Sequence, residues 1–233
     1  MKADKPFVTA VIVGAGNGTR MGGVNKALIK IGEKTAFRMV LDAFGEAECI
    51  DEIVVVCRDT EEMARESKGF SSKPVSFVLG GSTRTQSVFN GVSAANRKAA
   101  FYCIHDCARP LVTAEIINTV TEAAIKTGAA TACTPVTDTI KYVDSENGTV
   151  YTPKRANLLA LQTPQVFEAR LYTVAAALAK KDGYSATDDT AIAEHAGFKV
   201  EYVVTDKSNL KLTSAEDVFV ARYIEQKRRK TEQ

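Results

Sequence analysis

Apolar residues follow two patterns along this chain, and the patterns alternate. Short unbroken runs of β-branched and other apolar residues occupy 7–13, 53–56, 75–79, 101–104 and 129–134. Runs of that length suit strands buried on both faces, as in a parallel sheet. Between them the apolar residues recur at helical spacing. Phe37, Val40, Leu41 and Phe44 mark a helix over 35–46, and Val88, Val92 and Ala95 one over 87–97. Ile116, Ile117 and Val120 mark another, capped by Thr113 and stopped by Gly128. The charged stretch 59–68 also reads as helix. This order predicts an α/β fold, a mostly parallel sheet with helices on both faces.

The pattern changes at Asp138. Residues 139–143 alternate between polar and apolar, 144–148 are turn-rich with an Asn147-Gly148 pair, and 149–151 alternate again. That is the signature of a β-hairpin. It is more polar than the preceding strands, so it is expected to project from the main sheet, and a projecting hairpin is a candidate dimer arm. Helices are expected over 169–180 and 188–195, a strand over 200–204, and a last helix over about 215–230 with Ser214 and Asp217 at its start. Nothing marks a linker or repeat. The expectation is one domain over 1–233, with the arm at about 138–157.

Composition changes this picture little. Of the 233 residues 45% are hydrophobic and 25% charged, enough to bury a core without disulfides or a structural metal. A net charge of +2 is too small to mark a dedicated nucleic-acid binder. No apolar run approaches a membrane span, and the first residues lack a signal-peptide core. Neither a nucleic acid nor a membrane is therefore an expected partner. The five cysteines, at 49, 57, 103, 107 and 133, form no CxxC pair, and only His105 stands near enough to join a zinc site. A reducing cytoplasm is the expected location.

The chemistry concentrates after the first strand, in Gly14-Ala15-Gly16-Asn17-Gly18-Thr19-Arg20-Met21-Gly22. Glycines at alternate positions let a backbone curl so that several N–H groups point at one anion. The ending is not Gly-Lys-Ser/Thr, so this is no Walker A loop. A dinucleotide fingerprint would place glycine where Thr19 or Met21 stands, and its acidic partner should follow within about 20 residues. The second strand instead ends near Cys57-Arg58. Arg20 and Lys26 follow the loop and suit a polyphosphate, one as a planar fork and the other as a point charge.

With Lys26, this loop resembles the signature of the sugar-nucleotide pyrophosphorylases and cytidylyltransferases. Six further stretches narrow the resemblance to the 2-C-methyl-D-erythritol 4-phosphate cytidylyltransferases. They are Gly80-Gly81-Ser82-Thr83-Arg84 with Ser87-Val88; His105-Asp106-Cys107-Ala108-Arg109-Pro110; Pro135 to Lys141; Leu161-Gln162-Thr163-Pro164-Gln165; Thr187-Asp188-Asp189; and Asn209-Leu210-Lys211-Leu212-Thr213. The order and the near-complete span of the chain carry the resemblance. It implies a Rossmann-like, three-layer nucleotidyltransferase fold and transfer of CMP from CTP to a polyol phosphate, with Mg²⁺ bridging phosphate oxygens.

By resemblance, Arg20, Lys26 and Lys211 are catalytic cations on the triphosphate. Gly14, Ala15, Gly16 and Gly18 hold the nucleotide, and Gly81, Arg84 and Ser87 lie near base and ribose. Asp106 contacts ribose, substrate or metal, with the Mg²⁺ held largely by the triphosphate. Arg109, Thr139, Arg155 and Thr187 bind the phosphorylated alcohol, Thr139 and Arg155 reaching it across a homodimer. His105 reads as a satisfied structural histidine. The family usually has Pro and Gln beside the loop lysine, where Asn25 and Ala27 stand here; a looser loop would raise the KM for nucleotide. A cytidylyltransferase for another polyol phosphate, such as ribitol 5-phosphate, shares the scaffold. A non-catalytic nucleotide-binding sensor is the reading from a different class.

Overall fold

The computed structural model describes residues 5–16 and 25–231. Gly18 and Arg20 lie outside the described residues. In chain order the strands are β1 (Val8–Val13), β2 (Lys30–Ile31), β3 (Lys34–Thr35), β4 (Glu52–Cys57), β5 (Val75–Leu79), β6 (Phe101–Asp106), β7 (Ala129–Pro135), β8 (Tyr142–Val143), β9 (Val150–Tyr151), β10 (Leu159–Glu168) and β11 (Glu201–Val204). The α-helices are α1 (Ala36–Glu46), α2 (Thr60–Glu66), α3 (Arg84–Ala94), α4 (Ala114–Thr127), α5 (Ala169–Lys181), α6 (Asp189–His195) and α7 (Ala215–Thr231).

Seven strands form one sheet in the order β11-β7-β10-β6-β1-β4-β5. The β1–β4, β1–β6, β4–β5 and β7–β11 pairs are parallel, as the unbroken apolar runs predict. Successive side chains of β1 enter different cores: Val8, Ala10 and Ile12 pack with Phe37, Leu41 and Phe44 of α1, and Val11 packs with Val88 of α3. Two-sided burial explains why these runs lack polar alternation. The result is a three-layer α/β fold. Truncating a fully buried anchor such as Phe44 should cost about 3–5 kcal/mol.

β10 is where the structure differs from the apolar pattern, which predicts no strand over these residues. It pairs antiparallel with both β6 and β7, and its register shifts between Leu161 and Gln165. Pro164, in a cis peptide with Thr163, sits within that shift. A proline has no N–H for the ladder, so a run containing one reads poorly as a central strand. The bulge is what admits it.

Several helix starts are set by side-chain caps. Thr83, not Ser87, begins α3, because its side chain accepts the Gln86 N–H. Asp188 caps α6, so its first helical residue is Asp189. At α7 the Asp217 carboxylate accepts the N–H groups of Thr213 and Ser214. Gly128 ends α4 with φ +91°, a conformation that suits glycine. The hairpin is present as the short antiparallel pair β8–β9, a separate two-stranded sheet with Tyr142 opposite Tyr151.

Candidate active site

Parallel strands point their carboxyl ends at one edge of the sheet, where ligands of open α/β folds bind. A cavity of about 420 Å³ lies at that edge, beyond β1 and β6. Gly14, Ala15 and Gly16 line it from the loop after β1, and Lys26 from the short 3₁₀ turn Lys26–Leu28. Gly81, Arg84 and Ser87 line it from the turn into α3; Asp106 comes from the end of β6 and Lys211 from the stretch before α7. Residues far apart in sequence are thus brought together as the resemblance implies, with three cations and one carboxylate.

Asp106 is the centre of the charged groups. It is 7% exposed. Its Oδ1 lies 3.2 Å from the Arg84 guanidinium, and Lys211 Nζ donates to its Oδ2 at 2.6 Å. Burial alone would raise this carboxyl, but Arg84 and Lys211 outweigh it and hold the group well below the usual carboxylate range. Arg84 is shared: its second arm donates to Asp189 Oδ2 at 2.7 Å. Burial opposes the charge on Arg84, and the carboxylates of Asp189 and Asp106 more than restore it.

The described residues at the two ends of the loop are tied by hydrogen bonds. The Gly14 N–H donates to Val56 O at 2.7 Å, so it extends the β1–β4 register and is not a member of an anion nest. Arg58, whose role the sequence did not disclose, donates to the carbonyls of Ala15 and Gly16. Lys26 is half-buried and donates to Leu212 O at 2.9 Å, beside Lys211. Asn25 caps its turn by accepting the Ala27 N–H. Asn25 therefore supplies part of the restraint that a proline would give this position.

The Gly80-Gly81 turn is set by contact. A Cβ on Gly80 would collide with the Cβ of Ala15, and Ser87 Oγ accepts the Gly81 N–H at 3.0 Å while donating to Thr83 O. Ser87 thus shapes the turn, and its hydroxyl is engaged with backbone.

His105 is fully buried against Phe44. Its Nε2 faces the Arg109 carbonyl at 3.2 Å, which can only accept, so the proton sits on Nε2 and Nδ1 accepts from the Thr163 hydroxyl at 3.0 Å. Burial pushes its pKa down to about 4. The ring is neutral and structural, as the sequence suggested.

The expected alcohol-binding residues lie apart from this cavity lining. Arg109 donates to the carbonyls of Asn209 and Leu161, bracing the stretch that carries Lys211. Thr139 and Thr187 are exposed, and Arg155 donates to Thr137 O within its own arm. The resemblance singles out Thr187 in the Thr187-Asp188-Asp189 motif, whereas it is Asp189, an acid adjacent to the helix cap, that reaches Arg84 at the cavity.

A family model described as IspD, 2-C-methyl-D-erythritol 4-phosphate cytidylyltransferase, matches residues 8–227. A protein of that description from Caldanaerobacter subterraneus subsp. tengcongensis is 43% identical over 219 residues, 92% of this chain and 96% of its own. One from Prochlorococcus marinus is 38% identical over 213 residues, covering 91% and 95%. Among solved structures, the 4-diphosphocytidyl-2C-methyl-D-erythritol synthase of Anaerococcus prevotii superposes with a TM-score of 0.86 at 28% identity, over 96% of this chain and 97% of its own.

Proposed function

The chain belongs to the 2-C-methyl-D-erythritol 4-phosphate cytidylyltransferase family, and from that premise we propose that it transfers CMP from CTP to 2-C-methyl-D-erythritol 4-phosphate. The products are 4-diphosphocytidyl-2-C-methyl-D-erythritol and pyrophosphate, in non-mevalonate isoprenoid precursor synthesis. A phosphate oxygen of the alcohol attacks the α-phosphorus of CTP, and the bond from that phosphorus to the β-phosphate oxygen breaks. Both reactants are anions, so the barrier is lowered mainly by positioning and by cations where charge builds up. The observation that carries the reading is the convergence of Lys26, Arg84 and Lys211 on one cavity with Asp106 at the strand edge.

In this reading Lys26 and Lys211, with Arg20, stabilise the triphosphate and the departing pyrophosphate. The braced turn at Gly81 and Ser87 receives the base, and Asp106 accepts from ribose hydroxyls. One nucleotidyltransferase unit spans the chain.

Among the described residues no cluster of three or more His, Cys, Asp or Glu could hold a metal by itself. Asp106 is the one carboxylate among the described residues lining the cavity. The site therefore fits a Mg²⁺ carried by the nucleotide's phosphates with Asp106 as a protein oxygen, not a dedicated protein cage. Bound there, the ion would neutralise phosphate charge.

The hairpin completes the proposal. Tyr142, Val143, Val150 and Tyr151 are exposed, and the two tyrosine rings lie 4.8 Å apart. We assign this apolar surface to a second copy of the chain, whose cavity Thr139 and Arg155 then approach. No helix among the described residues is long and apolar enough to cross a membrane. The five thiols are all buried and unpaired, which supports action in a reducing cytoplasm.

Pyrophosphate release with CTP and Mg²⁺ tests the proposal. Release with 2-C-methylerythritol 4-phosphate and not with ribitol 5-phosphate is expected. Release with ribitol 5-phosphate alone would overturn the substrate, and CTP binding without release from either alcohol would overturn catalysis.

A further inference from the structure

The Asp106 carboxylate is held from one side by Lys211 and from the other by Arg84, and Arg84 is itself held from behind. Asp189, fully buried at the start of α6, takes the second arm of Arg84 on Oδ2 at 2.7 Å. Its remaining oxygen, Oδ1, accepts from the Tyr172 hydroxyl at 2.7 Å. Its own N–H donates to Gln165 Oε1 at 3.0 Å, and Gln165 Nε2 donates to Asp188 Oδ2 at 3.1 Å. Asp189 is thus fixed by α5, β10 and α6 together. It is not among the residues lining the cavity, and nothing in this arrangement lets it touch a nucleotide bound there.

The charges explain what such a residue can do. Lys211 grips Asp106 at 2.6 Å, and in the proposed reaction the same ammonium must serve the triphosphate. A cation that moves to a phosphate leaves a buried carboxylate short of compensation, and uncompensated buried charge is strongly unfavourable. Arg84 is the group that stays. It can hold Asp106 in place only if its own position does not depend on Asp106, and Asp189 provides that independent anchor. A guanidinium presents rigidly placed donors, so one arm can be fixed by Asp189 while another addresses Asp106.

We propose that Asp189 is a positioning residue for nucleotide binding and transfer, acting through Arg84 to keep Asp106 oriented when Lys211 engages phosphate. This deepens the proposed function and rests on it for the identity of the acceptor alcohol. It does not rest on that identity for the CTP step.

The test is a double-mutant cycle of Asp189→Asn and Arg84→Gln, read in CTP affinity by calorimetry and in kcat/KM per folded enzyme. Asp189→Asn keeps the side-chain shape but removes the charge, and should weaken CTP binding by about tenfold and lower kcat further. The double variant should be no worse than Arg84→Gln alone. Additive losses would overturn the inference, because a residue that merely supports the fold would add its own loss. Tyr172→Phe keeps the charge and releases only Oδ1. It should weaken CTP binding by roughly twofold to fivefold, and full retention of CTP affinity alongside a lowered melting temperature would also overturn the inference. Were Asp189→Asn to misfold, Tyr172→Phe and its cycle with Arg84→Gln would decide. Wild-type enzyme that binds CTP but uses neither alcohol would refute the proposed reaction and leave the calorimetric cycle to judge Asp189.

Discussion

At the end of β6, Asp106 is 7% exposed and divides its oxygens between Arg84 and Lys211. In the hairpin, Val143 and Val150 are 63% and 59% exposed, and Arg155 reaches a backbone carbonyl of its own arm. Both regions carry residues that the sequence joins to one reaction, yet they are built in opposite ways. The first has Asp106 and Arg84 paired and largely desolvated within one chain, so their geometry exists before any ligand arrives, which is what transition-state stabilisation needs. The second presents apolar rungs and a cation whose neighbours belong to the same arm. Its ordering for substrate is proposed to come from outside the chain. The difference teaches where to look for kcat and where for KM: in the proposed reaction, groups fixed in advance serve the transition state, and groups supplied by an arm serve capture of substrate.

The largest expected effect breaks the comparison on the first side. Lys211→Ala or Lys26→Ala should lower kcat/KM by about a thousandfold, since in the proposed reaction each removes a cation that serves developing phosphate charge. Melting temperature should change little for Lys26→Ala, because Lys26 is only half-buried, and should fall for Lys211→Ala, which takes one of two cations from the buried Asp106 carboxylate. Steady-state kinetics beside a thermal melt checks this. A loss carried entirely by KM would mean that these lysines bind nucleotide without favouring the transition state, and the contrast with the arm would fail.

A smaller effect concerns stability against pH. His105 is neutral when folded, with its pKa pushed down by burial to about 4 from an ordinary 6.5. Between those values the unfolded chain binds the additional proton. Stability from this group is therefore full above pH 6.5 and is lost as pH falls toward 4, by roughly 3 kcal/mol across the window. Asp106, held low by Arg84 and Lys211 against its burial, adds a loss in the same direction once pH falls below the usual carboxylate range. Neither of the chain's two histidines, at 105 and 195, lies in the hairpin. Urea titrations at pH 7 and 4.5 should show the drop in the wild type and a flatter profile in His105→Gln. A wild-type profile already flat would mean that the ring is not sequestered under the site.

Much of this contrast was legible in the sequence, and its limits have physical causes. The parallel strands showed as unbroken apolar runs because both of their faces are buried. The hairpin showed through its turn residues and alternation. β10 stayed hidden because Pro164 and the polar Gln162-Thr163 pair interrupt its pattern, and only the bulge against β7 makes room for them. Position in the motif marks Lys26, Arg84, Asp106 and Lys211 as candidate site residues, and the fold gathers them around one cavity. Their partners were less visible. Nothing local in Asp189 says that it meets Arg84, 105 residues earlier, or in Arg58 that it meets the loop after β1, because such pairings exist only once the strand order is known. The glycines of that loop suggested a nest of free N–H groups, whereas the Gly14 N–H serves the sheet.

The smallest expected effect sharpens the comparison from the side of the arm. Arg155 is exposed, and its guanidinium donates to Thr137 O at 2.9 Å across the base of the hairpin. Removing it deletes one surface hydrogen bond, which should change stability by no more than about 1 kcal/mol. If the arm delivers this cation to the phosphorylated alcohol in a second subunit, Arg155→Ala should raise the KM for that alcohol by about tenfold. CTP affinity and the rate at saturating alcohol should stay near wild type, because the cluster of Asp106, Arg84 and Lys211 is untouched. Mixing Arg155→Ala with a Lys211→Ala protein separates the subunits' contributions. At alcohol far below its KM each homodimer is impaired in a different site component, so a mixed dimer regains one site with both components intact, and activity there should recover to about a quarter of wild type at equal mixing. Failure to recover, in a sample shown to exchange subunits, would place Arg155 and Lys211 in the same chain's site. The arm would then be a local extension of the cavity and not a device for sharing it.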